Sequence, residues 1–389
     1  MIILGKTKEY KIINKIKTDE GLAELIELAE KHSFCGNLWH CFVAYLIMTD
    51  ENPFSVGCER RQVPDNALAK TVKADFDELY TLFNRSVLDE IFDDYVPMKK
   101  PDKETVCIGT LASEFAKKLE NALNADEFFK VCTDFYEAYG VGELGLYRAF
   151  VLSEDGVLVP VTHFRRVTLS DLWGYDVQKA QLLDNTRAFV NGKDANNVLL
   201  YGDSGTGKST CIKAILNEFY KDGLRMIQVQ KSQFKYLGDI IDKIKHRGYA
   251  FVIYMDDLSF EDFEIEYKYL KAIIEGGLEE KPKNLVIYAT SNRRHLIRET
   301  WKERGDDDVH RNESMQEKIS LSDRFGLQIY FMKPMQTQYF DMVEYLAKKA
   351  GLDMSREALE AAAKEWGIAH SGLSGRAAEQ LIKHLSKEF

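Results

Sequence analysis

Residues 202–210 read Gly-Asp-Ser-Gly-Thr-Gly-Lys-Ser-Thr, and this string limits the possible folds more than any other part of the chain. It satisfies the pattern G-x-x-x-x-G-K-[ST]. Gly202, Gly205 and Gly207 let the backbone curl tightly enough for its N–H groups to point inward. Such a loop works between a buried strand and the first turn of a helix, whose dipole adds positive potential. The flanks have that form. Val198-Leu199-Leu200-Tyr201 is a short apolar run, and Lys208 opens an amphipathic helical pattern that extends to Lys221. Gly202, Asp203, Ser204, Gly205, Thr206, Gly207, Lys208, Ser209 and Thr210 are therefore candidates for a phosphate cradle. Lys208 would carry its charge to the β- and γ-phosphates of a nucleotide such as ATP, and the Ser209 hydroxyl would face Mg2+.

A second apolar run, Phe251–Met255, leads into Asp256-Asp257. Acids at the C-terminal end of a parallel strand face the crevice where ligands of such sheets bind. Asp256 is placed to hold Mg2+ through its water shell, and Asp257 to orient and deprotonate an attacking water. Glu261 is a second candidate for the base. In isolation two acids after a strand also fit a solvated turn. The phosphate loop upstream decides for the functional reading.

Around these motifs, residues 166–334 alternate strand-like and helix-like segments. The strands expected are Asn197–Tyr201, Arg225–Gln230, Ala250–Met255, Asn284–Ala289 and Leu327–Phe331. Helical patterns over Lys208–Lys221, Phe234–His246 and Tyr267–Glu275 lie between them. Near-continuous apolar strands alternating with helices predict an α/β domain with a five-stranded parallel sheet covered on both faces. Residues 335–389 hold three helical patterns, enough for a small helical lid. Residues 1–165 are mainly helical in pattern, with apolar spacing of three and four over Leu22–Glu30 and Leu111–Tyr139. Near their end, Tyr147–Leu152 and Val157–Val161 flank Ser-Glu-Asp-Gly and suggest a β-hairpin. No catalytic constellation stands out in this first region, so an accessory or docking role is expected of it.

The net charge of −10 argues against broad, non-specific nucleic-acid binding, while leaving room for a local basic patch. The basic stretch over residues 293–311 also carries acids, and a solvated insertion fits it better than a nucleic-acid groove. The six cysteines form no C-x-x-C pair and fit buried free thiols. The N-terminus lacks a signal peptide, and Leu38–Met48, the most apolar early run, is too short to span a bilayer. A cytoplasmic protein without a membrane partner is expected.

Several strings resemble the AAA+ superfamily and, within it, a bacterial family of AAA+ proteins catalogued as a domain of unknown function (815). They are Leu169–Leu172, Ala195–Gly202, Asp256–Glu261, Tyr288–Leu296 and Ser320–Leu327. More distantly the chain resembles replication initiators and helicase loaders. The resemblance implies an AAA+ P-loop core, and it gives roles to further residues. Asn292 matches the polar sensor that positions the hydrolytic water. Arg324, in Ser-Asp-Arg-Phe-Gly, falls where an arginine finger reaches a neighbouring subunit's ATP. Arg376 matches a second sensor carried by the lid. Trp173-Gly174-Tyr175 resembles the segment that passes over the adenine, which makes Gly174 and Tyr175 candidate nucleotide contacts. Taken alone, Asn292 fits a turn cap equally well, and Arg324 a surface salt bridge. One departure concerns the carboxylates: many AAA+ motors carry Asp-Glu where this chain has Asp256-Asp257, which implies slower, switch-like turnover.

Two functions follow from this resemblance. The first is a Mg2+-dependent ATPase that assembles as a homo-oligomeric ring or filament and remodels a protein or nucleoprotein client. The second is a slowly hydrolysing ATP switch that recruits a partner through the N-terminal region. A small-molecule kinase would leave Asn292, Arg324, Arg376 and the helical lid without a role.

Overall fold

The structure is a computed structural model that describes residues 9–61, 67–89, 92–98, 108–164, 167–260, 266–275, 281–293, 296, 321–370 and 372–388. Glu261, and residues 293–311 apart from Arg293 and Leu296, lie outside the described residues. The chain divides into two compact units. The first comprises Met1–Ala149, Pro160–Phe164 and His246–Tyr249; the second comprises Phe150–Val159, Arg165–Lys245 and Ala250–Phe389.

Helices make up the first unit: α1 (Tyr10–Lys15), α2 (Asp19–His32), α3 (Leu38–Thr49), α4 (Pro53–Glu59), α5 (Ala67–Phe83), α6 (Ile108–Glu120), α7 (Ala125–Tyr139) and α8 (Gly142–Leu146). The apolar run that opens at Leu38 becomes α3, a helix apolar on nearly every side and buried over Leu38, Trp39 and Cys41–Met48. Helix α6 packs against it with a face containing Gly109, Ala112, Ser113 and Ala116, all buried. Gly109 also meets the end of α2, where a Cβ would lie 1.9 Å from the carbonyl oxygen of His32, so this position has no room for a side chain. The pattern over Leu111–Tyr139 resolves into α6 and α7, separated by a break at which Asn124 caps α7 by accepting the N–H of Glu127. Four of the described cysteines, Cys41, Cys58, Cys132 and Cys211, are buried free thiols, whereas Cys35 is exposed.

The second unit is built on one sheet. Its strands are β1 (Ala149–Leu152), β2 (Leu158–Pro160), β3 (Val198–Gly202), β4 (Leu224–Gln228), β5 (Ala250–Met255), β6 (Leu285–Ser291) and β7 (Leu327–Phe331). The spatial order is β2-β1-β4-β5-β6-β3-β7. Strands β3 to β7 are the five expected from the sequence, and the pairings β4–β5, β5–β6, β6–β3 and β3–β7 are all parallel. The sheet has seven strands rather than five because the hairpin β1–β2, foreseen within residues 1–165, adds itself beside β4. Its turn closes through Ser153 N–H to Val157 O at 2.9 Å, with Gly156 at φ +77. The helices of this unit are α9 (Asp176–Val190), α10 (Lys208–Phe219), α11 (Leu237–Ile244), α12 (Glu266–Glu275), α13 (Gln336–Lys349), α14 (Arg356–Ala369) and α15 (Gly375–Glu388). The last three share their own core, which includes Tyr339, Val343, Leu359, Ala363, Ala378 and Leu381.

Strand order sets the site. Since β6 lies between β3 and β5, the residues ending β6 fall between the phosphate loop after β3 and the aspartates after β5. Among the described residues, no helix is long and apolar enough to cross a membrane.

Candidate nucleotide site

The loop after β3 takes the curled form its glycines predict. Gly205 and Gly207 have φ of +76 and +92, a region open chiefly to glycine, and α10 begins at Lys208. A Cβ on Gly207 would press on the Leu172 side chain, with Cδ1 at 2.3 Å, so the residue is required by its conformation and a substitution would also displace that leucine. The turn opens a polar cavity of about 470 Å3, lined by residues 204–210, Asp256, Asp257, Asn292 and Arg376 among others.

Lys208 is buried, and its ammonium donates to the carbonyls of Gly202 (2.9 Å) and Asp203 (2.7 Å) and to Asn292 Oδ1 (3.1 Å). Burial lowers its pKa, while Asp203, Asp257 and Asp256 favour the charged form. Asn292 uses its other end as well, with Nδ2 donating to Asp257 Oδ1 at 2.7 Å. One amide thus joins the lysine to the proposed base. Asp257 itself has φ +52, a left-handed conformation that aspartate tolerates better than most residues.

On the other side of the cavity, Ser209 Oγ donates to Asp256 Oδ1 at 2.6 Å. Thr290 Oγ1 donates to the same oxygen at 2.7 Å and accepts the N–H of Asp257 at 2.9 Å. Burial works against ionisation of Asp256, but the hydroxyls of Ser209 and Thr290 hold its carboxyl below the usual carboxylate range. A serine hydroxyl converging with an ionised carboxylate fits Mg2+, which takes one or two protein oxygens and completes its shell with water and phosphate.

The lid meets the loop directly. The N–H of Arg376 donates to Gly205 O at 3.2 Å, and a Cβ on Gly375 would lie 3.1 Å from the same oxygen. Arg376 thereby lines the cavity from the start of α15, and Glu379 joins it one turn on.

Other residues singled out from the sequence lie off this cavity lining. Gly202 has φ +127 and packs against the backbone of Phe331. Asp203 Oδ2 accepts the N–H of Lys333 at 2.9 Å. The Tyr175 hydroxyl donates to Met332 O at 2.8 Å and its ring lies 5.0 Å from that of Phe331, while neighbouring Gly174 faces open space. Arg324 is ion-paired with Glu275. Sequence reasoning assigned no role to Leu172, Lys213, Thr290, Gly375 or Glu379, all of which line the cavity. Thr290 had a legible signal, because it stands two residues before Asn292 and alternate residues of a strand share a face.

The family model described as "Protein of unknown function (DUF815)" matches residues 146–389. A replication factor C small subunit from Haloarcula marismortui is 28% identical over 88 residues, 22% of this chain and 26% of that protein. The chain thus spans about a quarter of that relative's length. Among solved structures, the Thermotoga maritima RuvB Holliday junction branch migration motor is similar at 19% identity and a TM-score of 0.40, over 58% of this chain and 65% of that one. The replication initiator DnaA bound to AMPPCP and single-stranded DNA is similar at 19% identity and a TM-score of 0.38, over 56% and 64%.

Proposed function

Because this chain belongs to the family described as Protein of unknown function (DUF815), its activity is inferred from the site, and we propose that it is a Mg2+-dependent ATPase of the AAA+ type. The observation that carries this reading is the convergence of Lys208, Asn292, Asp257, Ser209 and Asp256 on one cavity through the hydrogen bonds described above. The likeness to the replication factor C small subunit supports it over the stretch that is covered.

Each residue has a task. The backbone of residues 204–207 and the Lys208 ammonium receive the phosphates. Ser209 and Asp256 hold the metal, which, when bound, offsets charge on the phosphate oxygens. Asp257 accepts a proton from the attacking water as its oxygen bonds the γ-phosphorus and the bond to the bridging oxygen breaks, giving ADP and phosphate. Asn292 keeps the Asp257 carboxylate aimed, and Arg376 brings a cation from the lid. Gly174 and Tyr175 border the base. Arg324 serves a neighbouring subunit's site, which makes the working form a homo-oligomeric ring or filament in the cytoplasm. The client is a protein or a nucleoprotein. The net charge gives no support to nucleic acid as the main ligand.

A second reading, an ATP-bound switch with slow turnover that recruits a partner through the first unit, is favoured by one observation. The base is an aspartate, whose carboxylate reaches less far than a glutamate's would. Steady-state ATP hydrolysis against protein concentration, for wild type and Arg324→Ala together, separates the two. Specific activity that rises with concentration and collapses in the variant supports the assembled ATPase. Low, flat activity that is indifferent to the substitution supports the switch.

A further inference from the structure

Thr290 is 2% exposed and occupies the penultimate position of β6, the strand that separates the phosphate loop from the aspartates. Its hydroxyl both donates and accepts. The single hydrogen goes to Asp256 Oδ1 at 2.7 Å, and a lone pair receives the N–H of Asp257 at 2.9 Å. Two nearby bonds, one between backbones and one from a side chain, tie the same two strand ends together. Leu258 N–H donates to Thr290 O at 2.7 Å, and Ser291 Oγ donates to Leu258 O at 2.8 Å. One oxygen atom therefore fixes both the rotamer of the metal carboxylate and the amide of a residue in the left-handed region.

We propose that Thr290 is the positioning residue for the metal: it holds the Asp256 carboxylate towards the Mg2+ that accompanies the nucleotide, and it sets the direction of Asp257 through its amide. This rests on the reading of the cavity as a Mg2+–nucleotide site. The asymmetry between the two hydroxyls on Asp256 supports it. Ser209 stands in the phosphate loop itself and is the hydroxyl a metal would take, so its bond to Asp256 is one that metal binding replaces. Thr290 comes from the neighbouring strand, and its bond can persist with the metal in place. Outer hydrogen bonds of this kind orient metal ligands, and their loss typically costs 10- to 100-fold in metal affinity.

The test is Mg2+-titrated binding of a fluorescent ADP analogue to the full chain, comparing wild type, Thr290→Val and Thr290→Ser. Valine keeps the shape and removes the hydroxyl, whereas serine keeps the hydroxyl. The expected result is a 10- to 100-fold loss of apparent Mg2+ affinity in Thr290→Val, recovery to within a few-fold in Thr290→Ser, and metal-free binding of the analogue changed less than about twofold in both. Wild-type Mg2+ affinity in Thr290→Val overturns the proposal. So does an equal loss of metal-free and metal-dependent binding, which marks a structural role. If wild type shows no Mg2+ dependence at all, the reading of the cavity fails and the proposal with it. Should Thr290→Val not fold, Thr290→Ala carries the same measurement.

Discussion

Arg324 forms an ion pair with Glu275, the last residue of α12, and both side chains are 31% exposed. As the proposed finger for a neighbouring subunit, Arg324 must leave this partner before it can reach another molecule's γ-phosphate. A pair of this exposure is worth at most about 1 kcal/mol, or about a fivefold shift in the population of free arginine. Glu275→Gln should therefore raise specific ATPase activity up to about fivefold at protein concentrations below those that saturate assembly. The gain should vanish in the double variant with Arg324→Ala. A gain that survives the loss of Arg324 would assign Glu275 another role.

Asn292 spans Lys208 and Asp257, and the two ends should respond differently to its removal. Lys208 retains its bonds to the carbonyls of Gly202 and Asp203, so nucleotide binding in Asn292→Ala should stay within a few-fold of wild type. Asp257 loses the amide that aims its carboxylate, and misplacement on the scale of an ångström costs about 100-fold in rate. A kcat reduced by about 10- to 100-fold with little change in nucleotide affinity is the expected split. Equal losses in both would instead make Asn292 a binding residue.

Much of the core was legible for a physical reason. Strands β3, β5 and β6 are buried on both faces over nearly their whole length, so they read as near-continuous apolar runs, and the phosphate loop follows one of them; β4, with Arg225, and β7, with Gln328 and an exposed Tyr330, are less regular. The sequence did not disclose partners that are distant along the chain. Thr290 bonds residues 34 and 33 positions away, and Arg324 is paired with Glu275. The hairpin was visible as a turn, Ser-Glu-Asp-Gly, between two apolar runs, but no local pattern says which sheet edge a strand will join. Nor could periodicity show that Arg247 lies among the residues of the first unit, because its neighbours on both sides carry the pattern of the second.

That arginine is a point of stability within the first unit. Arg247 and Glu59 have side chains only 5% and 2% exposed and meet through Nη2–Oε2 at 2.7 Å and Nε–Oε1 at 3.0 Å. Glu51 accepts from Nη1 at 2.7 Å, and Glu59 also receives the N–H groups of Val141 and Gly248. Glu59→Ala would leave a buried guanidinium short of its main partner and two amides without an acceptor, a loss of about 3–5 kcal/mol. Hydrogen exchange at the amides of Val141 and Gly248 should accelerate accordingly. Replacing Glu59 and Arg247 together by methionine should cost less than Glu59→Ala, because no charge is then stranded.

Lys281 makes a prediction about pH. Its ammonium donates to Asn197 Oδ1 at 2.7 Å, and that oxygen also accepts the N–H of Ile287 at 2.9 Å. Burial lowers the Lys281 pKa from 10.5 to about 8. Between these values the unfolded chain keeps a proton that the native protein has released, so this group makes stability rise with pH. Below pH 8 both states are protonated and the cost of burying the charge is fully present; above 10.5 both are neutral and the dependence ends. Buried tyrosines such as Tyr288, whose pKa is raised, act in the opposite direction at high pH, so the measurement must be a difference. The unfolding free energy of wild type minus that of Lys281→Met should be flat up to pH 8 and then climb, by no more than about 1.4 kcal/mol per pH unit. The lost bond to Asn197 adds an offset that leaves the slope unchanged. A difference that stays flat from pH 7 to beyond 10.5 would mean that the amine is solvated, and that Asn197 is held by the strand amide of Ile287 alone.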